Sequence, residues 1–241
     1  MSGQPRPDIF CVVSQEMPLS MQNILASEVS EVILLPPDTD LAEPVRCHPD
    51  MVFAVLDGRM FLSARYYEAF PGTIMRIAEL GGLKPVPVSL NRHARYPHDV
   101  AFNAAVWNDI LLCRPDDLCP ALLDHAKRSG YRIVPVRQGY TACSCILTSE
   151  AILTSDRGIA AVLVRENLPC VLLPEGGIAL PGYDCGFPGG ACGVLDDTVY
   201  VCGSAETLPC ASVLHASCRR ILSLSDTPVT DYGGIKFFKR I

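Results

Sequence analysis

Met51-Val-Phe-Ala-Val-Leu-Asp-Gly-Arg-Met-Phe-Leu-Ser63 is an apolar run, a two-residue polar break, and a second apolar run. Asp57-Gly58 is a strong short-range hairpin signal, because a type I′ turn needs positive φ at both central residues. The flanks are rich in Val, Leu and Phe, as paired strands require. The plan recurs three times: Val100 to Cys113 around Trp107-Asn108, Ala142 to Ser155 around Ser149-Glu150, and Gly190 to Gly203 around Asp196-Asp197. The breaks stand 50, 42 and 47 residues apart, a period that marks a repeat architecture.

Each hairpin leads into a helical pattern. Leu118, Leu122, Leu123 and Ala126 share one face. Ser155-Asp156 is placed to cap a helix over Ile159 to Val164. Ala69 to Leu80 and Leu208 to Arg220 fit the same role, and Gly81-Gly82 and Gly130 supply stops. A short apolar strand then closes each unit: Val86-Pro-Val88, Val134-Pro-Val136, Val171 to Leu173 and Ile221 to Leu224. The prolines confine two of these strands to sheet edges.

A fifth unit is split. Phe10 to Val13, a helix over Leu19 to Val29 and Val32 to Leu35 lack a first strand. Ile235 to Phe238 at the C-terminus is an apolar strand without a unit. The expectation is therefore one α/β domain over 1–241, a pseudo-symmetric ring of five ββαβ units that the C-terminal strand closes. The units run approximately over 8–36 plus 235–241, 47–90, 97–137, 140–175 and 184–226. Closure removes free sheet edges.

Of 241 residues, 49 % are hydrophobic and 19 % charged, enough apolar material for a sizeable core. The formal charge is -6 with no basic stripe, which excludes the usual phosphate-binding face of a nucleic-acid partner. Met1 to Pro7 is polar, and no apolar run reaches the roughly 18–20 residues that span a bilayer. The expectation is a cytoplasmic protein with neither nucleic-acid nor membrane partners. The sequence leaves the oligomeric state open, a homodimer included. Twelve cysteines occur with no C-x-x-C pair, and several sit inside apolar runs, so most are expected as reduced core residues.

Five ββαβ units about a pseudo-fivefold axis resemble the pentein, or guanidino-group-modifying enzyme, fold: a five-bladed α/β propeller. His48-Pro-Asp-Met51, Gln138-Gly-Tyr140 and Leu180-Pro-Gly-Tyr-Asp-Cys-Gly-Phe-Pro-Gly-Gly190 resemble a bacterial branch of that fold with no assigned activity. The resemblance implies a site at the axis, at the starts of the first strands, with a cysteine nucleophile, a histidine and carboxylates. It implies no cofactor. The fold also hosts a non-catalytic binding protein, so it does not fix the function.

The segments entering the first strands are polar and converge if the ring closes. Cys143 and Cys192 are the candidate nucleophiles, since a thiolate can attack a guanidinium carbon. The histidine and threonine often flanking the family's cysteine are absent around Cys192. His48 and His98, each just ahead of an aspartate, are the candidate proton carriers. Asp50, Asp99 and Asp184 are candidate carboxylates to pair with a cationic substrate. Asn103 is expected to face the axis from a strand, Arg46 suits a carboxylate-bearing ligand, and Asp231 is a lesser candidate. The glycine-rich stretch from Leu180 to Gly193 reads as a cover over the axis. The leading expectation is a hydrolase or transferase acting on a small guanidino, amine or amide compound held in an axial pocket. The rivals are a binding protein without catalysis and a metal-dependent hydrolase using His48, Asp50, His98, Asp99 and a cysteine.

Overall fold

A computed structural model describes residues 6–241. The polar reading of the N-terminus lies partly outside them, at residues 1–5. Five three-stranded sheets share one strand arrangement, an antiparallel pair with a third strand parallel to the middle one; in four of them a turn joins the antiparallel pair and a helix leads to the third strand. The first sheet contains β1 (Arg6–Ser14) and β2 (Val29–Leu35), linked by α1 (Leu19–Glu28). In the second, α2 (Pro49–Val52) precedes β3 (Phe53–Leu56) and β4 (Arg59–Ser63), and α3 (Ala64–Ala69) and α4 (Pro71–Gly81) precede β5 (Lys84–Val88). The third holds β6 (Ala105–Trp107), β7 (Ile110–Cys113), α5 (Pro120–Arg128) and β8 (Arg132–Pro135). The fourth holds β9 (Cys145–Leu147), β10 (Ile152–Thr154), α6 (Arg157–Arg165) and β11 (Cys170–Leu172). The fifth holds β12 (Cys192–Leu195), β13 (Thr198–Val201), α7 (Ala211–Ser217) and β14 (Arg220–Ser223). The C-terminal β15 (Lys236–Lys239) pairs antiparallel with β1 and completes the first sheet.

Side-chain alternation along the strands explains how the sheets join. On β1, Phe10 and Val12 face one side and pack with Phe53, Met60 and Leu62 of the second sheet. Ile9, Cys11 and Val13 face the other side and pack with Tyr200, Cys202 and Leu224 of the fifth. Three more cores bridge the second to the third sheet through Phe61 and Leu111, the third to the fourth through Leu112 and Ile152, and the fourth to the fifth through Leu153 and Val201. Each consecutive pair thus shares a core, and the fifth sheet meets the first. This is the five-bladed α/β propeller, with middle strands buried on both faces as parallel-paired strands usually are.

Several local readings shift. The turn of the third sheet centres on Asn108-Asp109, one residue later than read, because Trp107 still pairs with Ile110 and Asn108 takes the positive φ of 54°. The helix read over Ala69 to Leu80 is two helices broken at Phe70, where Pro71 starts the second. The helix read over Leu208 to Arg220 shortens to α7, which starts only at Ala211, after a 3₁₀ turn over Ala205–Thr207, and ends at Ser217, ahead of Arg220, which begins β14. Asp156 does cap α6, accepting from Ile159 N at 2.8 Å. Pro85, Pro87 and Pro135 fall on the outer edge strands β5 and β8, where no further ladder needs their missing N–H. All twelve cysteines are free, and Cys185 is the exposed one. No helix among the described residues is long and apolar enough to cross a membrane.

Candidate active site

β3, β6, β9, β12 and β15 surround the axis, and the segments that lead into them meet at one end. The most constrained of these is α2. His48 is its N-cap, Pro49 fills N1 where no N–H is needed, and Asp50 N is anchored to Gly233 O at 3.2 Å. This single turn sets His48 and Asp50 at 3 % and 2 % exposure respectively. Both Asp50 oxygens are buried without a hydrogen-bond partner.

Asn103 ties three units to one point. Its Nδ2 donates to Asp50 O at 3.0 Å and to Cys143 Sγ at 2.9 Å, while its Oδ1 accepts from Ala142 N at 2.7 Å and Cys143 N at 3.3 Å. It does so from a turn closed by Asn103 N to Val100 O, just ahead of β6, and not from within the strand. Cys143 likewise lies in a turn before β9 and is buried. Burial pushes its thiol well above the usual range, and the negative charges of Asp50 and Asp231 push it further. No hydrogen bond of ordinary geometry joins the thiol to Asp50. Burial and the two charges both favour the neutral thiol.

Asp231 completes the group. Its Oδ2 accepts from Phe187 N and its Oδ1 from Gly233 N, both at 2.9 Å, and His48 Nδ1 lies 3.6 Å from Oδ1. Burial raises this carboxyl to about 6, against the lowering effect of His48 and with a further raise from Asp50. The packing here needs glycine. A Cβ on Gly190 would collide with the Asp231 carboxylate, and one on Gly233, at φ +76°, would collide with His48.

Asp99 flanks the cluster. Its Oδ2 accepts from Tyr140 OH at 2.7 Å, its Oδ1 has no partner, and burial raises its carboxyl. The Tyr140 ring packs tilted against Tyr96 and Phe187, at centroid distances of 5.5 and 5.8 Å. Behind α2, the buried Arg92 pairs with Asp38 at 2.6 Å, donates to Met51 O, and lies 5.4 Å from the Phe102 ring centroid.

Of the residues singled out in the sequence, His48, Asp50, Asn103 and Cys143 thus come together with Asp231, and Asp99 borders them. The others lie outside this cluster. Cys192 begins β12 in the core shared with Cys210 and Leu214, lines an axial cavity together with Asp50, and has its thiol raised well above the usual range by burial. His98 is exposed and lies against His93, tilted, with ring centroids 4.2 Å apart. The difference from His48 is local: Pro49 separates His48 from Asp50 on one helical turn, whereas His98 abuts Asp99, and only the aspartate turns inward. Arg46 donates to Glu16 at 3.2 Å in a solvent-exposed pair. Asp184 is exposed. The metal set fails with His98 at the surface; among the described residues no three metal-ligating side chains are grouped to hold an ion. The glycine-rich 180–193 segment, read from the sequence as a cover, is pinned and not a free flap: Gly186 N bonds Ile178 O, Gly190 N bonds Cys143 O, and Tyr232 N and Gly234 N both bond Gly190 O.

Sequence reasoning underweighted Asp231 and missed Arg92, Tyr140 and Phe187 as supports. The signal for Asp231 was present in Asp231-Tyr-Gly-Gly234, where paired glycines mark close backbone approach. Nothing in the loop around Arg92 marks it as buried.

The family described as "Family of unknown function (DUF6873)" matches residues 12–236. No curated protein matches the sequence. Among solved structures, SxtG, an amidinotransferase from Microseira wollei in the saxitoxin biosynthetic pathway, superposes with a TM-score of 0.57 at 13 % identity, over 93 % of this chain and 91 % of that one. DDAH from Pseudomonas aeruginosa, as a cysteine-to-serine variant complexed with citrulline, superposes with a TM-score of 0.55 at 10 % identity, over 92 % of each chain. The fold is that of the guanidino-group-modifying enzymes.

Proposed function

This chain belongs to the DUF6873 family and carries the pentein fold, and on that footing we propose that its axial site modifies a guanidino or amidino group as a hydrolase or transferase. Asp50 carries the reading. A buried carboxylate with no partner costs several kcal/mol unless something neutralises it, and a planar cation that donates two parallel N–H bonds would do so. The thiol of Cys143 lies beside it.

In this reading a guanidinium pairs with Asp50, and its positive charge offsets the negative field that keeps the Cys143 thiol protonated. The sulfur gives its proton to His48, which Asp231 orients, and adds to the guanidinium carbon. His48 then returns that proton to the nitrogen, whose bond to the carbon breaks as it departs as ammonia or amine. The amidino group left on sulfur is then cleared by water in a hydrolase or by an acceptor amine in a transferase. Asn103 holds sulfur and clamp in register. SxtG, an amidinotransferase, and DDAH, seen with citrulline, share this architecture and make guanidino chemistry the first class to test.

The test is release of citrulline, urea or ammonia from a panel of guanidino compounds, with and without an acceptor amine. Wild type and Cys192→Ala should turn over, while Cys143→Ala and His48→Gln should not. Product formation undiminished in Cys143→Ala would remove the proposed nucleophile. A non-catalytic binding role is favoured by one observation, the resting thiol that burial keeps protonated. Tight binding without turnover in the same panel would select it.

A further inference from the structure

Each blade ends in an outer edge strand, and four of the five edges are blocked. β5 carries Pro85 and Pro87, and the four-residue β8 runs from Arg132 to Pro135. β11 is three residues long between Pro169 and Pro174, and β14 is four residues long and opens on Arg220, next to Arg219. Short length, proline and charge are the devices that keep sheet edges from pairing with other chains. β2 differs. It is the longest edge at seven residues and contains no proline, and its one charge, Glu31, is already held by Arg76 at 2.6 Å.

The direction of its backbone groups follows from its end. Leu35 O accepts from Gln15 N, so Leu35 turns toward β1, and with it the alternate residues Ile33 and Glu31. The N–H and C=O groups of Ser30, Val32 and Leu34 therefore point outward, and none of them has a hydrogen-bond partner among the described residues. The surface beside this edge is free of charge. From Met17 through Leu35, which takes in α1 and β2, eight residues are exposed and none is charged, Asn23, Ala26 and Ser30 among them. Leu19 is 67 % and Leu34 40 % exposed. Depletion of charge is the compositional mark of an interface centre. A chain of formal charge -6 repels its own copies, and this strip lets two of them approach without setting exposed charges of one sign against each other.

We propose that β2 pairs antiparallel with the β2 of a second copy of this chain, across a two-fold axis at Val32, in a symmetric dimer with one continuous six-stranded sheet. Outward residues must meet outward residues, so Ser30 faces the second copy's Leu34 and Val32 faces its own mate. Three such pairs form, each exchanging two N–H···O bonds. Glu31 then lies opposite Ile33 and not opposite another acid. Val32 packs on the side of α1 with Leu25, and Ile33 on the side of α4 with Ile77. The two α1 helices therefore meet on one side of the joined sheet and the two α4 helices on the other. Seven residues of strand span roughly 23 Å, and helices about 10 Å across flank the strand on both sides. The contact is thus on the order of 600 Å² per copy, which reaches the lower bound of about 1,200 Å² in total for a stable interface. The edge lies on the rim, so pairing leaves both ends of the axis open.

Sedimentation velocity of the full chain, from nanomolar to micromolar concentration, tests this. Wild type should sediment as a dimer in exchange with monomer. Leu34→Lys puts a charge into the apolar strip, and Val32→Pro removes the central outward N–H as Pro85 and Pro87 do on β5. Each should raise the dissociation constant about thirtyfold or more. Leu172→Lys, an equally exposed leucine on the blocked β11 edge, should leave it unchanged. Amide exchange over residues 29–35 should slow as wild-type concentration rises and stay fast in the two β2 variants. Circular dichroism matching that of dilute wild type would certify each variant as folded; should Val32→Pro fail that check, Leu34→Lys and the exchange data decide. A wild type that stays monomeric throughout overturns the proposal, as does a dimer that survives the β2 variants or is lost equally in Leu172→Lys. Assemblies larger than two also overturn it, because two-fold pairing uses up the unblocked edge.

Discussion

Replacing Asp50 by asparagine should make this protein more stable and its site inert. The carboxylate is 2 % exposed, neither oxygen has a partner, and the nearest ionisable neighbours include Asp231, whose own carboxyl it helps to raise. Folding therefore strips hydration from a charge and sets it near a second acid. The amide side chain would keep the shape and remove the charge, though it would still lack partners, which itself costs about 1–3 kcal/mol. Uncompensated burial of the ion costs several kcal/mol, so the net gain is about 1–3 kcal/mol. At roughly 2–4 °C per kcal/mol for a chain of this size, the melting temperature should rise by about 2–12 °C at pH 7.5. The backbone link from Asn103 to residue 50 is to the carbonyl and survives. The assay is calorimetric unfolding of both proteins, with and without a guanidino ligand. Wild type should gain stability with ligand and Asp50→Asn should not. A variant that melts several degrees lower than wild type would show that the carboxylate is already compensated in the fold, and the case for a cationic ligand would lose its support.

Two further outcomes follow from the same neighbourhood. Burial raises the Asp231 carboxyl to about 6 in the fold against about 3.9 for an unfolded aspartate, so between those values the folded state holds the extra proton. Its contribution is present below pH 4 and is lost as pH rises to 6, a loss on the order of 2–3 kcal/mol. Urea unfolding at pH 4.5 and 7 should show wild type losing more stability over that interval than Asp231→Asn, and equal slopes would refute the assignment. Arg92→Met should cost about 3–5 kcal/mol, because it leaves Asp38 buried without its partner; the double variant with Asp38→Asn should recover much of that, and strict additivity in denaturant titrations would show the pair is not coupled.

The ring was legible because its evidence is periodic. Asp57-Gly58 and Asp196-Asp197 sit at true turns, and the split first unit announced the β1–β15 pairing through two apolar segments that lacked partners. The site was legible only where sequence position translates directly into axial position, as in His48-Pro-Asp50, where proline forces a helical turn and delivers both side chains inward. Where that translation depends on a backbone twist, it failed. His98-Asp99 has nearly the same composition, yet adjacent residues diverge and only Asp99 is buried. Cys192 follows Gly189-Gly190, which looks like a nucleophile's setting, but those glycines serve a different need: Gly190 makes room for the Asp231 carboxylate, and the chain then carries Cys192 past it into the wall of the axial cavity, with the core of Cys210 and Leu214 behind. Cys143 has no glycine signature at all, and its place is set by Asn103 from the neighbouring unit, a tertiary contact that no local pattern encodes. In a ring of repeats the unit plan is local and reads from the chain, whereas the chemistry lies at the seams, where single residues of different units meet. The same logic places the test of function on seam residues: Asn103, which touches three units, is the side chain through which the clamp of one unit and the thiol of another keep a common distance.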